Sequence, residues 1–135
     1  MSRNTLAASV VRVGRAVQPI INLLRDHLLD SSLLHGDETH VQVLKETGKS
    51  AQSKSYMWVQ TTPCSGVPGA GPPIRLFGYA PSRSTAAAQI LYAVVRQSSV
   101  LMTDGYAVYD AIAQTHGLVH LGCWAHCRRG FHEAL

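Results

Sequence analysis

The apolar positions of this chain change period several times, and those changes divide it into elements. Over residues 4–30, Val17, Ile20, Ile21, Leu24 and Leu28 recur at near-3.6 spacing, the mark of one helix face. Gly14 predicts a break between a shorter helix and this longer one, and Pro19 suits the longer helix's first turn. Asp30-Ser31-Ser32 ends the pattern. From Leu33 to Leu44 the period falls to two, with Thr39, Val41 and Val43 alternating against His40 and Gln42, which predicts a half-buried strand. Ser55–Thr61 reads as a second strand and Ile74–Tyr79 as a third, with the polar stretch Glu46–Ser53 joining the first two. Residues 61–73 hold four of the six prolines and three glycines, so they form a loop, and strands two and three form a hairpin across it.

Helix and strand then alternate. Ser84 is a fitting N-cap for a helix whose stripe is Ala87, Ile90, Leu91, Val94 and Val95. Val100–Thr103 is a short buried strand that ends in the turn Asp104-Gly105. Tyr106, Tyr109, Ile112 and Ala113 mark a further helix closed by Gly117. Leu118–Leu121 is a fifth strand, and Trp124–Leu135 is a final helix. The order predicts an α/β fold: a mixed five-stranded sheet, three strands in an antiparallel meander and two parallel, with helices on both faces. Residues 1–32 form an N-terminal helical segment and 33–135 the main domain. A right-handed crossover from strand three sets strand four beside strand one. That brings Asp37, near the start of strand one, within reach of Asp104 at the end of strand four.

Composition narrows the classes. At 135 residues and 46% hydrophobic, the chain can bury one core. Charged residues are only 15%, which suggests a surface meant in part to be covered. The net charge of +4 lies in residues 1–25, where Arg3, Arg12, Arg15 and Arg25 meet no acid; the remainder balances. No apolar run is long enough for a membrane span, and Arg12 and Arg15 interrupt any secretory core. Three cysteines, Cys64, Cys123 and Cys127, do not make a disulfide framework, so a reducing compartment is expected.

Three constellations can carry chemistry. In His35-Gly36-Asp37-Glu38-Thr39, strand alternation puts Asp37 and Thr39 on one face and Glu38 on the other, so the adjacent acids cannot both serve one site. Taken singly, Asp37 reads as a turn residue before a strand, and Asp104 reads equally as a helix cap. Together they make a hard-oxygen pair suited to Mg2+ or Mn2+ at a phosphodiester. Cys123, His126 and Cys127 stand at i, i+3 and i+4, and with His120 or His132 they offer a zinc set. They lack the paired C-x2-C spacing, and packing of Cys123 and Trp124 in the core is the ordinary alternative. Lys45, Lys49, Lys54 and Arg83 form a basic rim for a DNA backbone in this topology, and Arg128 and Arg129 can face phosphates; each also reads as an ordinary solvated charge. His27, His40, His116 and His132 share no spacing and read as surface or helix-end residues.

The strings His35-Gly36-Asp37-Glu38-Thr39 with Val41–Lys45, Lys54–Val59, Pro81-Ser82-Arg83-Ser84, Thr103-Asp104-Gly105-Tyr106 and Gly122-Cys123-Trp124-Ala125-His126 run in one order over nearly the whole chain. In this they resemble bacterial transposases of the insertion sequence 66 family. The resemblance implies a ribonuclease H-like catalytic domain of the DDE type, incomplete at its C-terminus. It makes Asp37 and Asp104 the first two catalytic carboxylates, holding two Mg2+ or Mn2+ ions. Water would nick the element's end, and the released 3′ hydroxyl would attack target DNA. The implied partners are DNA at element ends and target, and full-length transposase or other element-encoded proteins, in the bacterial cytoplasm. The family's third acid, in an Asn-Asn-x-Ala-Glu-Arg motif, is absent from these 135 residues. Glu133 is a substitute in reach of the sequence, although the family's third acid comes later. The expectation is a transposase fragment, inactive alone. Two alternatives stand beside it: a non-catalytic DNA- or transposase-binding protein, as inhibitor or remnant, and a small zinc-binding regulator.

Overall fold

The computed structural model describes residues 2–63 and 71–133. Helix α1 (Arg3–Leu29) opens the chain, with the Ser2 hydroxyl accepting from the Thr5 amide at 3.1 Å. It runs through Gly14 and Pro19 without a break, against the expectation of two helices. Both residues lie on exposed turns, and a Cβ at Gly14 would meet nothing outside its own helix turn within 4 Å. A proline there removes one backbone hydrogen bond and crowds one carbonyl, while the bonds on either side remain. Only Leu28 and Leu29 of this helix are buried.

Five strands follow: β1 (Leu33–Gln42), β2 (Lys54–Thr61), β3 (Arg75–Ala80), β4 (Val100–Thr103) and β5 (Val119–Gly122), interleaved with α2 (Thr85–Leu91), α3 (Ala107–His116) and α4 (Trp124–Glu133). The sheet order is β3-β2-β1-β4-β5, antiparallel in the meander and parallel for β1·β4 and β4·β5. The crossover therefore puts β4 beside β1, as the handedness argument requires. β1 stops at Gln42 because β2 ends its pairing there, with Lys54 opposite, so Val43 and Leu44 have no ladder to join. Part of the proline-rich loop, residues 64–70 with Cys64, lies outside the described residues, as do residues 134–135 of the expected final helix.

Alternation along β1 explains the core. Leu34, Gly36 and Glu38 share a face with their partners Leu101, Gln60 and Trp58. Ala88 of α2, Tyr92 and Val95 beyond it, and Val108, Tyr109 and Ile112 of α3 belong to the same buried cluster. α2 is shorter than its apolar stripe predicted. It closes at Tyr92, so Ala88 and Tyr92 turn inward while Ile90 and Val94 stay exposed. α3 ends as expected at Gly117, whose φ of 63° is the left-handed conformation that glycine adopts at no steric cost.

The second face carries Asp37, Val59 and Phe77 in one row and Met102 beside Leu121 in another. α4 approaches it where His126 meets Asp37, but Phe77, Tyr79, Val119 and Leu121 are exposed. The expectation of helices on both faces is thus met in full on one.

Gly36 is the tightest point of the packed face. A Cβ there would collide with the Tyr92 hydroxyl and come within 3.2 Å of both Thr103 and Tyr109. Gly36→Ala is expected to destabilise the fold by about 1–3 kcal/mol through overpacking. Gly130→Ala, where nothing lies within 4 Å, is expected to leave stability unchanged or slightly raised. Urea unfolding of both variants checks this, and equal midpoints would contradict it.

Candidate functional site

The parallel ladder fixes where the two aspartates stand. Leu33 lies opposite Val100 and His35 opposite Met102, a constant offset of 67 residues. Asp37 and Asp104 are also 67 residues apart. Both lie two residues beyond the last paired rung, so the same offset sets them level, Asp37 within β1 and Asp104 just past the C-terminal end of β4, where open α/β sheets place their ligands. Asp37 is 46% exposed at its side chain. Its Oδ1 accepts from the Glu38 amide at 2.8 Å, and its Oδ2 lies 3.4 Å from His126 Nε2. Asp104 Oδ1 accepts from the Tyr106 amide at 3.0 Å, an Asx turn that starts α3. Its Oδ2 is 3.9 Å from Arg83.

Glu38 occupies the opposite face, as alternation predicted, and is the anchor the sequence reading missed. Its side chain is 1% exposed. Arg83 Nε donates to Oε1 at 2.5 Å, Arg83 Nη2 pairs with the same oxygen, and the Tyr109 hydroxyl donates to Oε2. A carboxylate taken out of water needs such partners to remain charged. Arg83 is held in turn by Tyr106, whose ring lies 3.7 Å beneath the guanidinium carbon and whose hydroxyl donates to the Arg83 carbonyl at 2.7 Å. Arg83 thus links Glu38 of β1 to Asp104 after β4. Burial tends to lower the Arg83 pKa, but the Glu38 hydrogen bond and charge outweigh it and raise the pKa above its ordinary value. Tyr109, at the centre of edge-on contacts with Trp58, Tyr92 and Tyr106, is pushed far upward by burial first and by neighbouring Tyr92 and Glu38 next. It stays a hydrogen-bond donor at any working pH. The signal for Glu38 was present in the sequence: an acid in phase with Leu34 and Gly36 must meet a cation.

The end of β4 has a second brace. The Thr103 hydroxyl bonds His120 Nε2 at 2.7 Å, and His120 Nδ1 bonds Asp110 at 2.7 Å. The Thr103 carbonyl accepts from the Cys123 amide at 2.7 Å, which ties the start of α4 to the same strand end.

The other site expectations divide. Lys49 turns inward, donating to Ser55 at 3.2 Å and to the Pro81 carbonyl and pairing with Glu46 at 3.6 Å. Hydrogen bonds from Ser55 and Tyr79 hold the Glu46 carboxyl below its ordinary range. Lys45 and Lys54 are exposed. Lys54 pairs with Gln42, five residues beyond Asp37, or about 17 Å further along the strand. Arg128 and Arg129 are exposed on α4.

Trp124 does not pack in the core. It is 82% exposed, and α4 buries no residue. Cys123 sits before α4, not on its face, and His126 turns to Asp37, so the alternative zinc set does not assemble among the described residues. Glu133 is exposed at the end of α4, seven residues or about 10 Å beyond His126 along the axis. Among the described residues no three His, Cys, Asp or Glu side chains group to hold a metal ion. His27, His40 and His132 are exposed as expected, and His116 ends α3.

A five-stranded mixed sheet in this order, flanked by helices, with one acid inside β1 and one just past the end of the adjacent parallel β4, is consistent with a ribonuclease H-like arrangement. The comparison with known families is direct: the model described as Transposase IS66 family matches residues 1–135, and the chain belongs to that family. It is also similar to the uncharacterized protein y4qI of Sinorhizobium fredii (strain NBRC 101917 / NGR234), with 23% identity over 140 residues. That match covers 98% of this chain and 25% of the relative, so the chain spans about a quarter of its length. No solved structure matches significantly. No described helix is long and apolar enough to cross a membrane.

The Glu38–Arg83 pair is expected to be energetically coupled. In a double-mutant cycle of Glu38→Ala and Arg83→Ala, the coupling should be about 1–2 kcal/mol. The part-exposed guanidinium keeps this below the 3–5 kcal/mol typical of breaking a fully buried pair. Additive single effects would show that the contact is incidental.

Proposed function

We propose that this chain carries the first two acids of a DDE-type transposase centre, Asp37 and Asp104, which hold Mg2+ or Mn2+ for DNA strand cleavage and transfer. The observation that carries the reading is the shared offset of 67, which sets both acids at one level of adjacent strands. The donor chemistry fits: Mg2+ keeps several waters and is commonly bound by one or two carboxylates together with substrate phosphates. When bound, such an ion supplies activation of the attacking oxygen and charge stabilisation at the leaving oxygen. Asp37 and Asp104 present oxygens to it, with Arg83 and the Tyr106 amide fixing the Asp104 carboxylate. Lys45, Lys54, Arg128 and Arg129 are exposed cations suited to DNA phosphates at an element end or target. Arg83 belongs to the same interface in this reading, though its guanidinium is shared with Glu38.

No third acid joins the pair among the described residues, and the chain alone is read as not competent for transposition. It would act in the bacterial cytoplasm with DNA and with full-length transposase or other element-encoded proteins. A second reading, a non-catalytic DNA- or transposase-binding protein, draws on α1, whose four arginines are exposed and face no acid within residues 1–25.

Mn2+ titration followed by electron paramagnetic resonance tests the site without relying on turnover. The wild-type chain is expected to bind weakly, and Asp37→Asn or Asp104→Asn to lower affinity at least tenfold, about 1.4 kcal/mol. Unchanged affinity in both variants would remove the metal reading. Metal-independent DNA binding by the same variants would then favour the second one. Nicking of element-end DNA by the chain alone would overturn its expected incompetence.

A further inference from the structure

We infer that α1 is a self-association helix, pairing with α1 of a second copy of this chain as a short coiled coil. The helix is 27 residues long, about 40 Å, yet only its last turn enters the core. Ahead of that turn, Leu6, Val10, Val13, Val17, Ile20 and Leu24 follow one another at steps of 4, 3, 4, 3 and 4 residues. That is the heptad seam of a coiled coil, sustained over 19 residues, just under three heptads. It is open: Val10 is 64% exposed, Val13 61% and Ile20 59%. Leu28 and Leu29 then take over as core residues of the chain's own sheet, which separates the two roles along one helix.

The charges say what the seam fits. Arg12, Arg15, Arg25 and Asp26 fall on the three outer heptad positions, while Arg3, three residues before Leu6, stands on the seam line at the helix's exposed start. The two rows flanking the seam carry no charged residue, and Ala7, Gly14 and Ala16 among them are small enough for close backbone approach. Flanking charges normally set partner choice. An acidic partner helix would find Arg12, Arg15 and Arg25 on the far side, whereas an identical helix, though basic, meets no like charge along the seam from Leu6 to Leu24. Pro19 also lies on the outer side, where its missing amide and its ring leave the seam intact. The chain's own bare sheet face does not compete. Because α1 is one unbroken helix up to its buried end, folding it back would require breaking it. The occupant is therefore a second copy.

Sedimentation equilibrium of the whole 135-residue chain over a wide concentration range tests this. The expected result is a reversible dimer of the 14.6 kDa chain. Val13→Glu/Ile20→Glu should give a monomer, while Arg15→Glu, on the outer face, should leave the dimer in place. If the glutamate variant loses helix, Val13→Ala/Ile20→Ala decides, with an expected tenfold or greater rise in dissociation constant and an unchanged near-ultraviolet circular dichroism spectrum. A wild-type monomer at every concentration, or a dimer that the seam substitutions do not weaken, would overturn the inference.

Discussion

The parallel pairing of β1 with β4 is the constraint on which the rest of this structure depends. Three rungs set the offset, and that offset places Asp37 level with Asp104. A slip of one residue would turn every side chain of β4 to the other face, and would separate the aspartates while exposing Leu101 and Thr103. The register is held from the packed side. Gly36 admits Tyr92, Thr103 and Tyr109 to within contact of the β1 backbone, which no larger residue at that position allows. The same side chains belong to α3, β4 and the segment after α2, so one glycine couples four parts of the chain.

Electrostatics reinforces that register. Glu38 is buried next to the exposed Asp37, and its charge is tolerated because Arg83 and Tyr109 reach it from separate elements. Arg83 also faces Asp104 across the strand ends. The two neighbouring acids of β1 therefore divide their work between the faces: one organises the interior, the other stays open to solvent. The basic rim is smaller than the charge count suggested, since Lys49 and Arg83 both bind internal partners. Lys45, Lys54, Arg128 and Arg129 retain outward-facing charge.

Much of the fold was legible in the sequence because its periods are clean. The two-residue alternation over Thr39–Gln42, the Ser84 cap, and Gly117 after Ala113 each state a local preference that the tertiary structure leaves unopposed. The placement of β4 beside β1 followed from handedness alone. What failed did so where tertiary context outranks local pattern. Gly14 and Pro19 do not break α1, because an exposed helix with intact bonds on both sides continues past them. Ile90 and Val94 look like core residues, but α2 closes at Tyr92 and turns them out. Trp124 is apolar and large, yet it is left exposed because α4 buries no residue. The role of Glu38 was hidden because its meaning lies in Arg83, 45 residues away.

The most direct test of the central claim asks whether positions 37 and 104 share one ligand space, independent of any activity. In a chain whose Cys64, Cys123 and Cys127 are replaced by serine, Asp37→Cys and Asp104→Cys would be made singly and together. Soft thiolates favour soft metals, so cadmium titration followed by thiolate-to-metal absorption reports whether two sulfurs reach one ion. The double variant is predicted to bind Cd2+ at least tenfold more tightly than either single variant, with two-sulfur absorption. Affinity and absorption equal to two independent single sites would contradict the account.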